Sequence, residues 1–291
     1  MHPELVAQLT VDGLLLGGVF ALAALGLNVI FGVTRIVNLA HGEIIVLAAL
    51  CATVVFQRTG LTPIELLPVM FVGGAVLGAI LERLVFRRLP PDPAGAETTS
   101  LLLTFGVAYF MVGFSLAVFT ADFRSVAYLT GSWQLGPISI GQSRFVAFVA
   151  AVLSAAALAF VLRATALGRG LRAASQNVDG ARACGIDIGR MRTVSFALGS
   201  GVAATAGCLV SMIYAVNPDS GSQFTLLAFS VVALGGLGSY AGTLLGAAIL
   251  GVAVSFAGFF ASAQIGQLVP YVIFIAVLLF RPNGILGKST A

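Results

Sequence analysis

Polar and hydrophobic positions along this chain do not alternate with the short periods of a soluble helix or strand. They separate into long uncharged blocks divided by short charged ones. Residues 13–34, 98–121, 145–162 and 193–218 contain no Asp, Glu, Lys or Arg, residues 36–57 and 66–81 are nearly as apolar, and the longest block runs uncharged from Ser220 to Phe280. A charge at mid-bilayer costs about 2.5–3.5 kcal/mol on insertion scales, and about 20 apolar residues cross the hydrocarbon as a helix. The last block has room for three crossings and breaks at two turn-forming stretches, GGLGSYAG (235–242) and ASAQIGQ (261–267). The pattern therefore predicts nine apolar segments, near 9–30, 36–57, 64–86, 100–120, 144–163, 192–217, 223–238, 242–260 and 265–281. All are expected to be helices, because an unclosed strand leaves backbone groups unpaired in lipid. Segment 223–238 barely spans, at about 24 Å for 1.5 Å per residue, and the glycine-broken stretch 26–42 is open to a re-entrant course.

Basic residues orient this array. With 164–191 in the cytoplasm, Arg35, Arg83, Arg87, Arg88, Arg163, Arg169, Arg172, Arg182, Arg190, Arg192, Arg281 and Lys288 fall inside, and only Arg58, Arg124 and Arg144 outside. The N-terminus is then outside and the C-terminus inside; a re-entrant 36–57 would move the N-terminus inside. The opening MHPELVAQLTVDG lacks the basic n-region of a cleaved signal peptide, so the first apolar block is expected to stay as a span. Composition agrees: 59% of residues are hydrophobic and 9% charged, too few charges to cover a water-facing surface. Nucleic acid is not an expected partner, since the net charge of +4 lies on the inner side of a membrane array. No Pro-rich or acidic linker divides the chain, so one transmembrane domain over 1–291 is expected, with a cytoplasmic segment at 164–191 inside it.

Chemistry-bearing motifs are scarce. Cys51, Cys184 and Cys208 are odd in number and far apart, which leaves neither a disulfide framework nor a metal site. Only His2 and His41 exist, and neither HExxH nor GxSxG occurs, so no enzyme, metal or cofactor is expected. The tail Gly287, Lys288, Ser289 and Thr290 imitates the end of a phosphate-binding loop, but Pro282 stands where its first glycine belongs and an apolar helix replaces the preceding strand. If ATP drives this protein, another chain hydrolyses it.

Two stretches remain. From Leu171 to Cys184 the spacing of Leu171, Ala174, Val178, Ala181 and Cys184 predicts one short amphipathic helix ending at Gly185, ringed by Arg169, Arg172, Arg182, Arg190 and Arg192. Such a helix either lies on lipid headgroups or docks on a cytoplasmic protein and transmits motion. In 35–50, Asn38, His41 and Glu43 stand at the mouth of an apolar segment. Arg35, Asn38, His41 and Gly42 would share a helical face while Glu43 turns away, so a His/Glu dyad is not expected. Asn38 and His41 either cap the helix and bond a neighbouring span or line a solute path. Glu82 is expected to pair with Arg83 or Arg87. Glycines at 17, 18, 26, 32, 73, 74, 78, 235, 236, 238, 242 and 246 permit close helix approach or half-helices around a cavity, with Gly235 and Gly236 as further pathway candidates. The outer loop 121–143 carries Trp133, an interfacial anchor or a contact for an external partner.

In these places the chain resembles the permease subunits of branched-chain amino acid ABC importers. ALGLNVIFGVTRIVNLAHGEII (24–45), LERLVFRRL (81–89), GRGLRAASQNVDGARACGIDIGRMRTVSFALGSGVAATAG (168–207), VVALGGLGSYAGTLLGAAILG (231–251) and LLFRPNGILG (278–287) carry the likeness. The NLAHG form is more similar to the first of the two paired permeases. The resemblance implies an all-α, polytopic protein of about eight or nine spans in the bacterial inner membrane. It implies an ATPase-coupling motif at Gly168, Arg172, Ala181, Gly185 and Ile186, a second permease, two cytoplasmic ATPases and an extracytoplasmic solute-binding protein. Relatives carry aliphatic or other amino acids, urea or short amides, so the solute stays open. The competing class is a stand-alone channel or secondary carrier, which would place coupling carboxylates inside the spans.

Overall fold

The computed structural model describes residues 3–88, 93–281 and 283–287. In chain order its helices are α1 (Pro3–Thr34), α2 (His41–Thr59), α3 (Pro63–Leu84), α4 (Pro93–Phe119), α5 (Gln142–Ala164), α6 (Ala166–Gln176), α7 (Val178–Ala183), α8 (Ile188–Val210), α9 (Gly221–Gly235), α10 (Tyr240–Phe260) and α11 (Ala263–Phe280). Between α4 and α5 an antiparallel hairpin, β1 (Ser132–Leu135) and β2 (Ile138–Gly141), pairs Trp133 with Ile140. Eight of the helices are long and apolar enough to cross a membrane, and each of the nine predicted apolar segments contains a helix. The ninth, α9, has 15 residues and so reaches only about 22 Å. The phosphate-loop-like tail at Lys288, Ser289 and Thr290 lies outside the described residues.

Short polar residues start these helices. Thr62 and Glu65 form a reciprocal capping box with Pro63 in the first turn of α3. Thr165, Asn177, Asp187, Ser239 and Ser262 each accept a backbone N–H at the start of α6, α7, α8, α10 and α11. These caps satisfy backbone donors that the helix itself leaves orphaned.

α1 and α8 form the centre. Ser255 of α10 donates to the Leu9 carbonyl near one end of α1, and Asn28 near the other end meets Ser239, so α1 and α10 run antiparallel. Gly26 and Gly199 let α1 touch α8 backbone to backbone: a Cβ on either would lie 2.5 Å from the other's carbonyl oxygen. α3 crosses α8 the same way, with Gly74 and Gly78 against Ser200 and Phe196. Around this centre, α3, α4, α5 and α11 turn Val72, Phe110, Leu153 and Leu279 outward, as lipid- or partner-facing helices do.

One end of the bundle gathers the C-terminal ends of α1, α3, α5 and α11, the starts of α8 and α10, and α6–α7. Arg35, Arg83, Arg163, Arg172, Arg190 and Arg281 belong to it. At the opposite end the hairpin is tied to α1, because Gln8 donates to the Ser139 carbonyl and accepts the Ser139 N–H, both at 2.8 Å. Arg144 of α5 adds an ion pair to Asp12 at 3.3 Å.

Candidate translocation and coupling sites

Gly168 begins the arginine-rich elbow. Its α-carbon sits so close to the Val161 and Leu162 carbonyls that no side chain fits, which lets α5 fold sharply into α6. Leu171 and Ala174 are buried with Val33 of α1 and Met191 of α8, while Arg172 on the other side of α6 is exposed. The predicted single helix from Leu171 to Cys184 is instead two. Asn177 leaves helical geometry, its side chain accepts the Gly180 N–H at 2.8 Å, and α7 starts afresh. An Asn ahead of Val-Asp-Gly is an N-cap signal, and capping outweighs the continuity suggested by apolar spacing. The redirected α7 buries Ala181 but exposes Val178 and Cys184 of the predicted stripe. It ends in a Schellman arrangement, with Ile186 N–H on the Ala181 carbonyl, Gly185 N–H on the Arg182 carbonyl and Gly185 at φ +79°. Gly168, Arg172, Ala181, Gly185 and Ile186 thus share one elbow.

A second construction lies within the bundle. α1 stops at Thr34, residues 35–40 are not helical, and α2 begins at His41. Arg35, Asn38 and His41 therefore do not share a helical face as the spacing suggested. Asn38 is a turn residue: its side chain accepts the Ala40 N–H and its carbonyl the His41 N–H. His41 is wholly buried, and its Nε2 lies 2.8 Å from the Ala23 carbonyl, a contact in which Nε2–H donates. Ala23 is eleven residues before the end of α1, about 16 Å along its axis, so α2 starts deep inside the bundle.

α9 starts at the same place from the other side. After α8 ends at Val210, residues 211–220 return into the bundle, pinned to the loop after α4 by Val126 N–H on the Ser211 carbonyl and by Arg124–Val216 backbone pairing. The predicted segment 192–217 is thus too long by about its last two turns, because uncharged residues also line this return. The first turns of α2 and α9 then touch. Thr225 Oγ1 accepts the Gly42 N–H at 2.9 Å and donates to the Leu39 carbonyl at 3.1 Å, and Gly42 packs on the Gly221 carbonyl with no room for a side chain. Glu43 points away from His41 and lays its buried carboxylate against Gly221. Two positive helix ends face each other here, with the Glu43 side chain lying between them.

Gly235 and Gly236 lie elsewhere, at the arginine-rich end. Gly235 packs on the Gly242 backbone, and Gly236, at φ +102°, on Gly287, while Ile285 and Leu286 N–H groups donate to the Leu234 and Gly235 carbonyls. The four predicted pathway residues therefore fall in two places. Asn28, which the sequence did not single out, organises the second: its side chain bonds the Ser239 carbonyl, Thr243 Oγ1 and Gly238 N–H. A lone Asn inside an apolar block was the available signal. Glu82 also has a different partner from the one expected. Its Oε2 accepts from Thr193 Oγ1 at 2.6 Å and its Oε1 lies 3.7 Å from Arg192 Nε, because α8 packs on the Glu82 face of α3 whereas Arg83 projects outward.

Interrupted helices meeting inside an apolar bundle, with a basic elbow at one end, define a multi-pass membrane protein of the transport class. No group of three or more His, Cys, Asp or Glu able to hold a metal occurs among the described residues. Residues 9–278 match the model of the branched-chain amino acid transport system permease components, and the chain belongs to that family. It is 29% identical to the high-affinity branched-chain amino acid transport system permease protein LivH of Escherichia coli K12, over 95% of this chain and 94% of that one. It is 28% identical to BraD of Pseudomonas aeruginosa, described in the same words, over 97% and 95%. The probable branched-chain amino acid transport permease LivH of Methanocaldococcus jannaschii is 26% identical over 98% and 94%. The chain is a transport permease.

Proposed function

We propose that this chain is one permease of an ATP-driven importer for branched-chain or related amino acids in a bacterial inner membrane. A second permease, homologous or identical, completes the path. Two cytoplasmic ATPases supply the motion, and an extracytoplasmic binding protein delivers the solute. The observation that carries this reading is the elbow of α6 and α7. Its inner face is fixed to α1 and α8 through Leu171, Ala174 and Met191, while Arg172, Arg182 and Val178 are exposed. A rigid lever attached to the two central helices and bare on its outer side suits a partner that pushes. Gly168, Arg172, Ala181, Gly185 and Ile186 form that lever. Asn38 and His41 border the path where α2 and α9 meet, and Gly235 and Gly236 hold its inner end closed by close packing.

The test is copurification. The wild-type permease is expected to bring its ATPases through affinity purification. The double variant Arg172→Glu, Ala181→Glu is expected to lose them while keeping the second permease. ATPases retained on that variant would remove the coupling assignment.

A further inference from the structure

A cavity of about 360 Å³ lies between α1, α9, α10 and α11 at the end opposite the arginines, roofed by Phe123 and Tyr214. Its volume falls in the roughly 300–1,000 Å³ range of small-molecule sites. Its walls are of two kinds. Phe20, Phe224, Leu227 and Val254 make an apolar side. Asp219, Gln223, Gln267 and Tyr271 contribute polar groups.

Two features give the polar side a direction. Asp219 is exposed and has no ion-pair partner among the described residues, so it brings an unneutralised negative charge to the cavity. Pro270 stands inside α11, where it has no N–H to give the Gly266 carbonyl four residues earlier, and both residues line the cavity. The Pro270 carbonyl is itself held by Ser230 Oγ at 2.8 Å, which fixes this turn of α11 against α9. A carboxylate without a cation and a carbonyl without its helical donor both call for a positively charged N–H donor. The amides of Gln223 and Gln267 and the Tyr271 hydroxyl can donate to an anion.

We propose that this cavity is a binding site, in the permease itself, for a zwitterionic aliphatic α-amino acid. Asp219 and the Gly266 carbonyl take the ammonium, Gln223, Gln267 and Tyr271 the carboxylate, and Phe20, Phe224, Leu227 and Val254 the side chain. The inference rests on the import reading and adds to it a second point of selection downstream of the binding protein.

The test uses the permease assembled with its partner chains in lipid nanodiscs, without binding protein, and equilibrium binding of tritiated L-leucine. Saturable binding is expected, displaced by unlabelled aliphatic amino acids, more weakly by isoamylamine, which lacks the carboxylate, and least by 4-methylpentanoate, which lacks the ammonium. Asp219→Asn is expected to weaken binding at least about tenfold, the scale of one lost charge-assisted hydrogen bond. Leu227→Phe, which leaves the charges in place and fills the apolar side, is expected to weaken it as well. Absence of saturable binding, or wild-type affinity in both variants, overturns the site. ATP-driven leucine uptake by the same wild-type assembly, reconstituted with binding protein in liposomes, separates the two readings. Uptake without cavity binding removes only the site, whereas cavity binding without uptake keeps the site and counts against the import reading.

Discussion

The crossing of α2 and α9 and the elbow of α6 and α7 are both made of helix starts, yet they solve opposite problems. At the crossing, the Gly42 N–H is accepted by Thr225, a residue of the other helix, and Gly42 lies so close to the Gly221 carbonyl that it tolerates no Cβ. At the elbow every cap is local: Thr165 serves Gly168, Asn177 serves Gly180 and Asp187 serves Arg190. Capping from another helix makes the crossing depend on two elements more than 180 residues apart in sequence, whereas local capping leaves the elbow a preformed unit with an exposed face. The comparison teaches where motion can reside. The crossing is fixed by distant parts of the chain, and the elbow keeps its shape without being enclosed.

Substitutions can break this contrast. The largest effect is expected from Gly42→Leu, which forces α2 and α9 apart; overpacking an ordinary core costs about 1–3 kcal/mol, and the cost here exceeds that range because backbone rather than side chain must move. Loss of folded protein in fluorescence-detected size exclusion after mild heating would show it, and wild-type behaviour would mean that the two helix starts are not in contact. Next comes Glu82→Ala, which leaves Arg192, mostly buried beside α3, without its carboxylate; removing one member of a buried pair costs about 3–5 kcal/mol, reduced here toward the low end because Arg192 also donates to the Phe86 carbonyl. A lowered apparent Tm in detergent, recovered in part by Glu82→Gln through the Thr193 contact, is the expected result.

His41→Ala sharpens the comparison from the centre. It deletes one neutral hydrogen bond to Ala23 and leaves a small cavity, for an expected loss of about 1–3 kcal/mol. Leucine uptake normalised to expressed protein distinguishes its two roles: a near-wild-type rate assigns His41 to structure alone, and a lost rate with intact stability assigns it to the path. The smallest effect belongs to the elbow. Asn177→Ala removes the α7 cap, worth about 1 kcal/mol, and should raise local hydrogen exchange in 178–184 without changing the global Tm. A global shift would contradict the local character of the elbow's caps.

The positions of the nine apolar segments, the side that collects the arginines and the Gly185 terminus of the elbow were legible in hydropathy, charge and glycine placement, because each is set by residues near one another in the chain. Asn177 shows the limit of periodicity: a four-residue cap signal lay inside an apolar stripe and decided the break. Glu82 shows another, since its neighbour in sequence projects away and its partner comes from α8. Asn28 stood in plain view as a lone amide in an apolar block, but nothing local shows that it bonds the turn between α9 and α10.

Amino-acid order was enough to specify membrane-embedded segments that are all helices, since the cost of charge in hydrocarbon and the need to pair every backbone group inside each segment act residue by residue. Where α2 and α9 begin is different. Hydropathy reads the same for a residue facing lipid and one facing another helix, so it places the apolar segments but not the depth at which a helix starts. That depth depends on which distant group receives the first free N–H, and here Thr225 and the bare backbones of Gly42 and Gly221 come together only once the bundle has closed.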